Sequence, residues 1–257
     1  MNLERGAGSD PAQRSRFASD RLGERTWPEI AAAPPLLMIP IGSTEQHGPH
    51  LPLDTDTRIA VAVAERLTAT RPDAALGAAF DLAVAPPLAI TASGEHDKFA
   101  GTLSIGTDVM TQVLIELTRS ADAFAGVVWL NAHGGNTAAL TAARTTLIAE
   151  GRDVLSLACW VPNGDAHAGR TETSLMLAIA PELVRLDLVA AGATEPWQEL
   201  RPRIMAGGVH AVSPSGVLGD PTGATAEEGA RLFDELVDRL AAELVEGSAR
   251  LWSNGSQ

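Results

Sequence analysis

Three short stretches of the chain carry side chains that bind metal ions and move protons. The first is Gly42-Ser43-Thr44-Glu45-Gln46-His47-Gly48-Pro49-His50-Leu51-Pro52-Leu53-Asp54-Thr55-Asp56. Side chains alternate along an extended backbone, so Glu45 and His47 point to one side. A carboxylate and an imidazole aimed at one point make half of a metal site. Gly48-Pro49 and Leu51-Pro52 let the chain turn and bring Asp56 back. Alone, the stretch reads equally well as a strand-to-helix loop in which Thr55 or Asp56 caps the next helix.

The second stretch is Asn131-Ala132-His133-Gly134-Gly135-Asn136. Gly134-Gly135 allow backbone to approach a ligand closely, and free amides at a helix start receive negative charge. The plainer reading is a glycine-rich turn with a hydrogen-bonded histidine. The third, His167-Ala168-Gly169-Arg170-Thr171-Glu172, places a histidine and an acid five apart, a poor same-face spacing on a helix. His167 therefore belongs to a loop and Glu172 to a first helical turn, where an acid is also favoured by the helix dipole alone.

Taken together, Glu45, His47, Asp56, His133 and Glu172 supply three carboxylates and two imidazoles. Three converging carboxylates repel and take up protons unless compensated, and two divalent cations would compensate them. Mixed nitrogen and oxygen donors suit zinc, manganese or iron(II) better than calcium. The lone Cys159 excludes a thiolate zinc site and reads as a small buried apolar residue.

The elements that must position these groups follow from the apolar pattern. Continuous apolar runs at Leu36–Ile41, Phe80–Ala85, Val127–Leu130 and Val154–Cys159 predict buried strands. Helix-period segments at Asp56–Thr70, Asp108–Ala121, Thr137–Ala149, Thr171–Ile179 and Ala226–Leu244 separate or follow them. In the second of these, Val109, Val113, Leu114 and Leu117 make the predicted inner face; in the last, Leu232, Leu236, Leu240 and Leu244 do. The leucine ladder is core or subunit interface. Such a pattern predicts an α/β fold: one layered αβα sandwich with a mainly parallel sheet. Ligands in these sheets sit at the carboxyl ends of strands, and all three polar stretches follow predicted strands.

The chain has 257 residues, long enough to bury a core without disulfides. Residues 1–25 read as a mobile tail and 26–250 as one folded domain. A net charge of −13 argues against nucleic acid and against a polybasic membrane patch. The longest uncharged stretch, Ala123–Ala143, is cut by Asn131, His133 and Asn136, so it predicts no membrane span. The N-terminal arginines precede no apolar run, so no signal peptide is expected. One cysteine fits a reducing compartment, hence the cytoplasm.

These motifs resemble the creatininase family of metal-dependent amidohydrolases over roughly residues 30–245. The stretch from Pro40 to Leu53, Thr55-Asp56, Ser93-Gly94-Glu95-His96 with Gly101-Thr102-Leu103-Ser104, the stretch from Asn131 to Asn136, His167-Ala168-Gly169 with Glu172-Thr173, and Gly216-Val217-Leu218-Gly219-Asp220-Pro221 carry the likeness. The resemblance implies two metals per chain. Glu45, Asp56 and His133 would hold one; His47, Asp56 and Glu172 the other, with Asp56 bridging. Creatininase itself has a metal-binding glutamate two residues after the counterpart of His133. Gly135 stands there in this chain, which moves that role to Glu172 and argues against creatinine as substrate.

By the same resemblance His167 is the catalytic histidine, protonating the leaving nitrogen, and Ser93 contacts substrate. The branch most alike removes a C-terminal Val-Tyr dipeptide from a modified precursor peptide, and the family forms homo-oligomers, usually hexamers. Rival expectations are hydrolysis of a small cyclic amide or formamide, and a metal-binding protein without turnover. Gly134, Gly135 and His96 are further candidates for the substrate wall, Glu95 for support of the metal ligands. Trp160 either covers the substrate or packs. His50 is a rim or turn residue, and His210 a loop residue near a possible entrance.

Overall fold

The structure is a computed structural model that describes residues 19–70 and 81–252. Its elements run α1 (Trp27–Ala32), β1 (Leu36–Ile41), α2 (Thr55–Thr70), β2 (Leu82–Val84), α3 (Gly106–Arg119), β3 (Gly126–Asn131), α4 (Thr137–Ala149), β4 (Val154–Ala158), α5 (Arg170–Ile179), α6 (Trp197–Gly207) and α7 (Ala226–Trp252). The four strands are parallel throughout, in the order β2-β1-β3-β4.

Alternation along β1 divides the core. Leu36 and Met38 pack with residues of α2, α5 and α7; Leu37, Ile39 and Ile41 pack with α3 and α4. Helices thus cover both sheet faces, which is the αβα sandwich expected. Full burial of such a side chain contributes about 1.5–3 kcal/mol, so a strand buried on both faces is held firmly.

After β1 the chain crosses through α2 to β2 on one side, then through α3 to β3 on the other. The gap between the carboxyl ends of β1 and β3 is therefore a topological switch point, where ligands collect in open parallel sheets. Glu45, His47 and Asp56 follow β1, and His133 follows β3.

The sequence reading needs three corrections. First, α3 buries Met110, Leu114, Ile115 and Thr118, whereas Val109 and Leu117 are exposed. Both stripes have helical spacing; contact with α4 selects the first. Second, the tail boundary moves. Residues 1–18 lie outside the described residues, but 19–25 are tied to the sheet edge by hydrogen bonds. Val84 donates its N–H to the Asp20 carbonyl, and the buried Arg25 guanidinium donates to the Ser19 and Leu82 carbonyls at 2.7 Å each. Third, α1 and α6 were not anticipated. Thr26 and Glu29 form a capping box on α1, and α6 carries Pro202 inside it, which reads as a helix breaker. Phe80, assigned to β2, lies outside the described residues.

Candidate metal centre

The loop after β1 folds so that Asp56 returns to the strand end. Gly42 packs against the backbone of Thr57, where a Cβ would collide, and Thr57 Oγ1 donates to the Ser43 carbonyl at 2.9 Å. This contact fixes the first turn of α2 beside Glu45 and His47. Ser43 Oγ donates to Asp56 Oδ2 at 2.8 Å.

The loop after β3 is tied down by Asn136. Its amide donates to the Gly42 carbonyl and to Asn131 Oδ1, both at 3.1 Å, and accepts from Ala92 N–H at 3.1 Å. One buried side chain thus joins the ends of β1 and β3 to the loop carrying Ser93. At the third stretch Asp165 accepts from the N–H of Thr171 at 3.0 Å and from that of Arg170, capping α5. Glu172, in the first turn of α5, accepts from Ala168 N–H at 2.6 Å.

These supports converge six side chains. His47 Nε2 lies 3.1 Å from Asp56 Oδ1 and 3.9 Å from Glu172 Oε2. His133 Nδ1 lies 3.1 Å from Asp56 Oδ2, and its Nε2 lies 3.1 Å from Glu45 Oε2. His167 Nδ1 lies 3.7 Å from Glu45 Oε1. Glu45, Asp56 and His133 form one group whose ligand atoms lie within 4.8 Å of one another; His47, Asp56 and Glu172 form a second, and Glu45, His47 and His167 a third.

The chemistry of these donors fits a cation. Both carboxylate oxygens of the fully buried Glu45 lack a hydrogen-bond partner, and a buried charge without one is costly. His47 donates Nδ1–H to the Glu45 carbonyl at 3.1 Å. That leaves Nε2 facing Asp56 and Glu172, the orientation typical of a metal-binding imidazole.

Gln46, passed over as a site residue in the sequence reading, sets two further tautomers. Its Oε1 accepts from Gly48 N–H at 2.8 Å, so the other amide atom is the NH2 group. That group donates to His96 Nδ1 at 2.8 Å, which puts the ring proton of His96 on Nε2, 3.3 Å from Glu45 Oε1 but not aligned for a hydrogen bond. The backbone carbonyl of Gln46 accepts from His167 Nε2–H at 2.8 Å, so Nδ1 of His167 carries the lone pair.

Electrostatics separate these imidazoles into two kinds. Burial disfavours a charged His47, yet Asp56, Glu172 and Glu45 outweigh it and raise its pKa to about 9. Burial likewise opposes charge on His133, and Glu45 and Asp56 still hold its pKa well above the usual value. Asp56 stays far below the usual carboxylate range despite burial, because His47 and His133 flank it. Burial raises Glu172 to about 7 against the pull of His47. The outer rings shift the other way. Burial, then His133 and His47, lower His96 to about 3. Burial, with His47 and His96, keeps His167 neutral.

The centre opens into a cavity of about 1220 Å³ between the start of α4 and α6, with Glu45, His133 and His167 on its floor. Glu95, His96, Gly134 and Gly135 also line it. A Cβ on Gly135 would collide with Glu95 Oε1, His133 Nε2 and the Ala92 carbonyl, whereas Gly134 faces open space. Glu95 Oε1 stands 3.6 Å from His133 Nε2, and Ser93 Oγ 3.4 Å from the same atom.

Trp160 is not on the cavity wall. Its ring lies under the Arg239 guanidinium at 5.0 Å, and its carbonyl accepts from Arg239 at 2.7 Å. Of the two roles expected for Trp160 the contacts show packing: a cation from α7 lies against the ring. His50 is buried and shares a hydrogen bond with Thr173 Oγ1 at 2.9 Å, which makes it a support for α5. His210 is exposed beside Phe99.

Comparison with known proteins places the chain in a family. The Creatininase family model, described as creatinine amidohydrolase, matches residues 23–244. A mycofactocin precursor peptide peptidase of Mycobacterium ulcerans (strain Agy99) is 53% identical over 225 residues, which cover 87% of this chain and 90% of the relative. Two solved structures share the fold. "Creatininase Mn" has a TM-score of 0.71 at 26% identity, covering 89% of this chain and 98% of that one. A mutant creatininase of "Zn-Zn type" has a TM-score of 0.72 at 25% identity, covering 90% and 99%.

Proposed function

The chain belongs to the creatininase family, and from that premise we propose that it is the peptidase that trims the modified mycofactocin precursor peptide, releasing its C-terminal Val-Tyr unit. The observation that carries this reading is the 53% identity, over nearly the full length of both chains, to a peptidase of that name. The cavity, about 1220 Å³ and open to solvent, has room for a peptide segment.

The reaction is hydrolysis of one amide bond. Water supplies a hydroxyl to the carbonyl carbon and a proton to the leaving nitrogen. Two divalent cations, zinc, manganese or iron(II), held by Glu45, His47, Asp56, His133 and Glu172, would supply charge to polarise the carbonyl and acidify water. His167 Nδ1, the free lone pair of a neutral ring, takes up the proton that water loses and returns it to the leaving nitrogen. His96 presents Nε2–H, held by Gln46, to the same space, and Ser93 Oγ, Gly134 and Gly135 border the substrate. We also propose a homo-oligomer, hexameric by family resemblance, in the cytoplasm. Among the described residues no helix is long and apolar enough to cross a membrane.

Incubation of the purified protein with the modified precursor is expected to give a shortened peptide and the released terminal unit by mass spectrometry. Creatinine should be unchanged under the same conditions. Turnover of creatinine with an intact precursor would reverse the assignment.

Metal uptake has a predictable pH dependence. His47, with its pKa raised to about 9, and His133, with its pKa raised well above the ordinary value, are protonated at pH 7. A cation must displace those protons and about half of one more from Glu172, whose pKa is raised to about 7, so binding at pH 7 should release about two to three protons per chain. Apparent affinity should rise as pH increases toward 9 and fall below neutrality. Calorimetric titration of metal-free protein with zinc, in buffers of different ionisation enthalpy, measures the release. No buffer dependence would contradict the ligand set.

A further inference from the structure

We propose that Arg201 and Lys98 form an anion-binding subsite in the outer part of the cavity, which receives an acidic side chain of the peptide upstream of the cleaved bond. The proposal rests on the peptidase reading.

Helix α6 has two working faces. Leu200 and Ile204 are buried and form a small core with Val209 and Leu218. Trp197, Arg201 and Met205 recur every fourth residue, which puts them on one stripe of the helix. All three line the cavity. Trp197 is 48% exposed and Met205 76%, so this stripe is not spent on packing. Lys98 lines the same cavity, two residues beyond His96, whose turn packs against α6.

Among the described residues the two cations have no acid partner within ion-pair distance. The chain carries a net charge of −13, and most of its described arginines face an acid. Arg203, two positions from Arg201 on α6, lies 3.5 Å from Glu195. Arg58, Arg66 and Arg170 are paired similarly. Among the described residues neither Arg201 nor Lys98 makes an ion pair or a side-chain hydrogen bond. Glu95 and Asp97 also line the cavity, and neither forms an ion pair with them.

Glu95 and Asp97 border the same cavity, so a peptide carboxylate is best received on the side that carries the two cations. A guanidinium fork matches a carboxylate in shape and charge. The departing end is short, so most of the substrate lies upstream of the cleaved bond, and the acidic residue is assigned to that part. Trp197 and Met205 then flank it with apolar contact.

This contact is remote from the bond that breaks, so it contributes equally to ground and transition states and appears in KM. Arg201→Gln should raise KM for the precursor roughly 5- to 20-fold, between the effect of an exposed pair and that of an enclosed charge-assisted hydrogen bond. Its kcat and metal content should stay near wild type, and Lys98→Gln should act in the same direction. Wild-type KM should rise with salt, and the Arg201 variant should lose most of that dependence. A synthetic precursor whose acidic residues are replaced by their amides should show the raised KM with wild-type enzyme and no further penalty with Arg201→Gln.

Equal KM for the acidic and amide peptides would overturn the subsite alone. A penalty found only on amidating the peptide terminus would place the contact at the chain end and overturn the upstream assignment. Cleavage of neither peptide would overturn the peptidase reading and the subsite together. The comparison of peptides uses wild-type protein, so it holds even if a variant folds poorly.

Discussion

His167→Ala is expected to lower kcat about 10²- to 10⁴-fold, the usual worth of a positioned acid–base group, while metal content stays at the wild-type level. His167 is held by two kinds of contact. Its Nε2–H is committed to the Gln46 carbonyl at 2.8 Å, and its backbone pairs with Leu218. Its ring lies 4.3 Å from that of His47 and 4.6 Å from that of His96. Burial and these two neighbours keep it neutral, so it can accept a proton before it delivers one. Single-turnover assays separate this chemical step from product release, and elemental analysis reports the metals. Glu45, His47 and His167 also form a group close enough to hold an ion. If metal is lost in step with activity, His167 is a ligand and the proton shuttle must be sought elsewhere, with His96 next.

How much of this site was legible depended on the range of the contacts. Local rules placed Glu45 and His47 on one side, because alternation along an extended strand needs only two residues. They also placed His133 at a strand end and Glu172 in a first helical turn. Gln46 was not legible, because its amide is oriented by Gly48, His96 and Gly216 together. Trp160 follows a strand near the site, and proximity in sequence suggested a substrate contact. Its actual partner, Arg239, comes from α7 nearly eighty residues on. Packing partners decided α3 as well: two apolar stripes competed, and only the contact with α4 chose between them. The segment of α6, with Pro202 inside it, carries no clear apolar period, so the helix that lines the cavity was not expected. Composition alone read residues 19–25 as tail, although one guanidinium reaching the Leu82 carbonyl ties them to the sheet edge.

Asp56 carries the largest expected effect. Its Oδ1 faces His47 at 3.1 Å and its Oδ2 faces His133 at 3.1 Å, so it belongs to both of the bridged ligand groups. Asp56→Ala should therefore empty both positions together and reduce peptide cleavage to the level of chelator-stripped protein. Metal-free protein should suffer too. With the Asp56 pKa held far below its ordinary value, the carboxylate stabilises the fold above the unfolded pKa near 4, and that contribution fades as pH falls through the folded pKa. Removing it at pH 7 strips the buried His47 and His133 of their shared counter-ion, a loss of about 3–5 kcal/mol, readable in urea unfolding. Ser43→Ala is a graded control: it deletes only the hydroxyl that donates to Asp56 at 2.8 Å, and should weaken metal binding about 10- to 100-fold without abolishing it. An Asp56→Ala protein that keeps one equivalent of metal would show that the two ions do not share this carboxylate, and the bridged arrangement would have to give way to two independent sites.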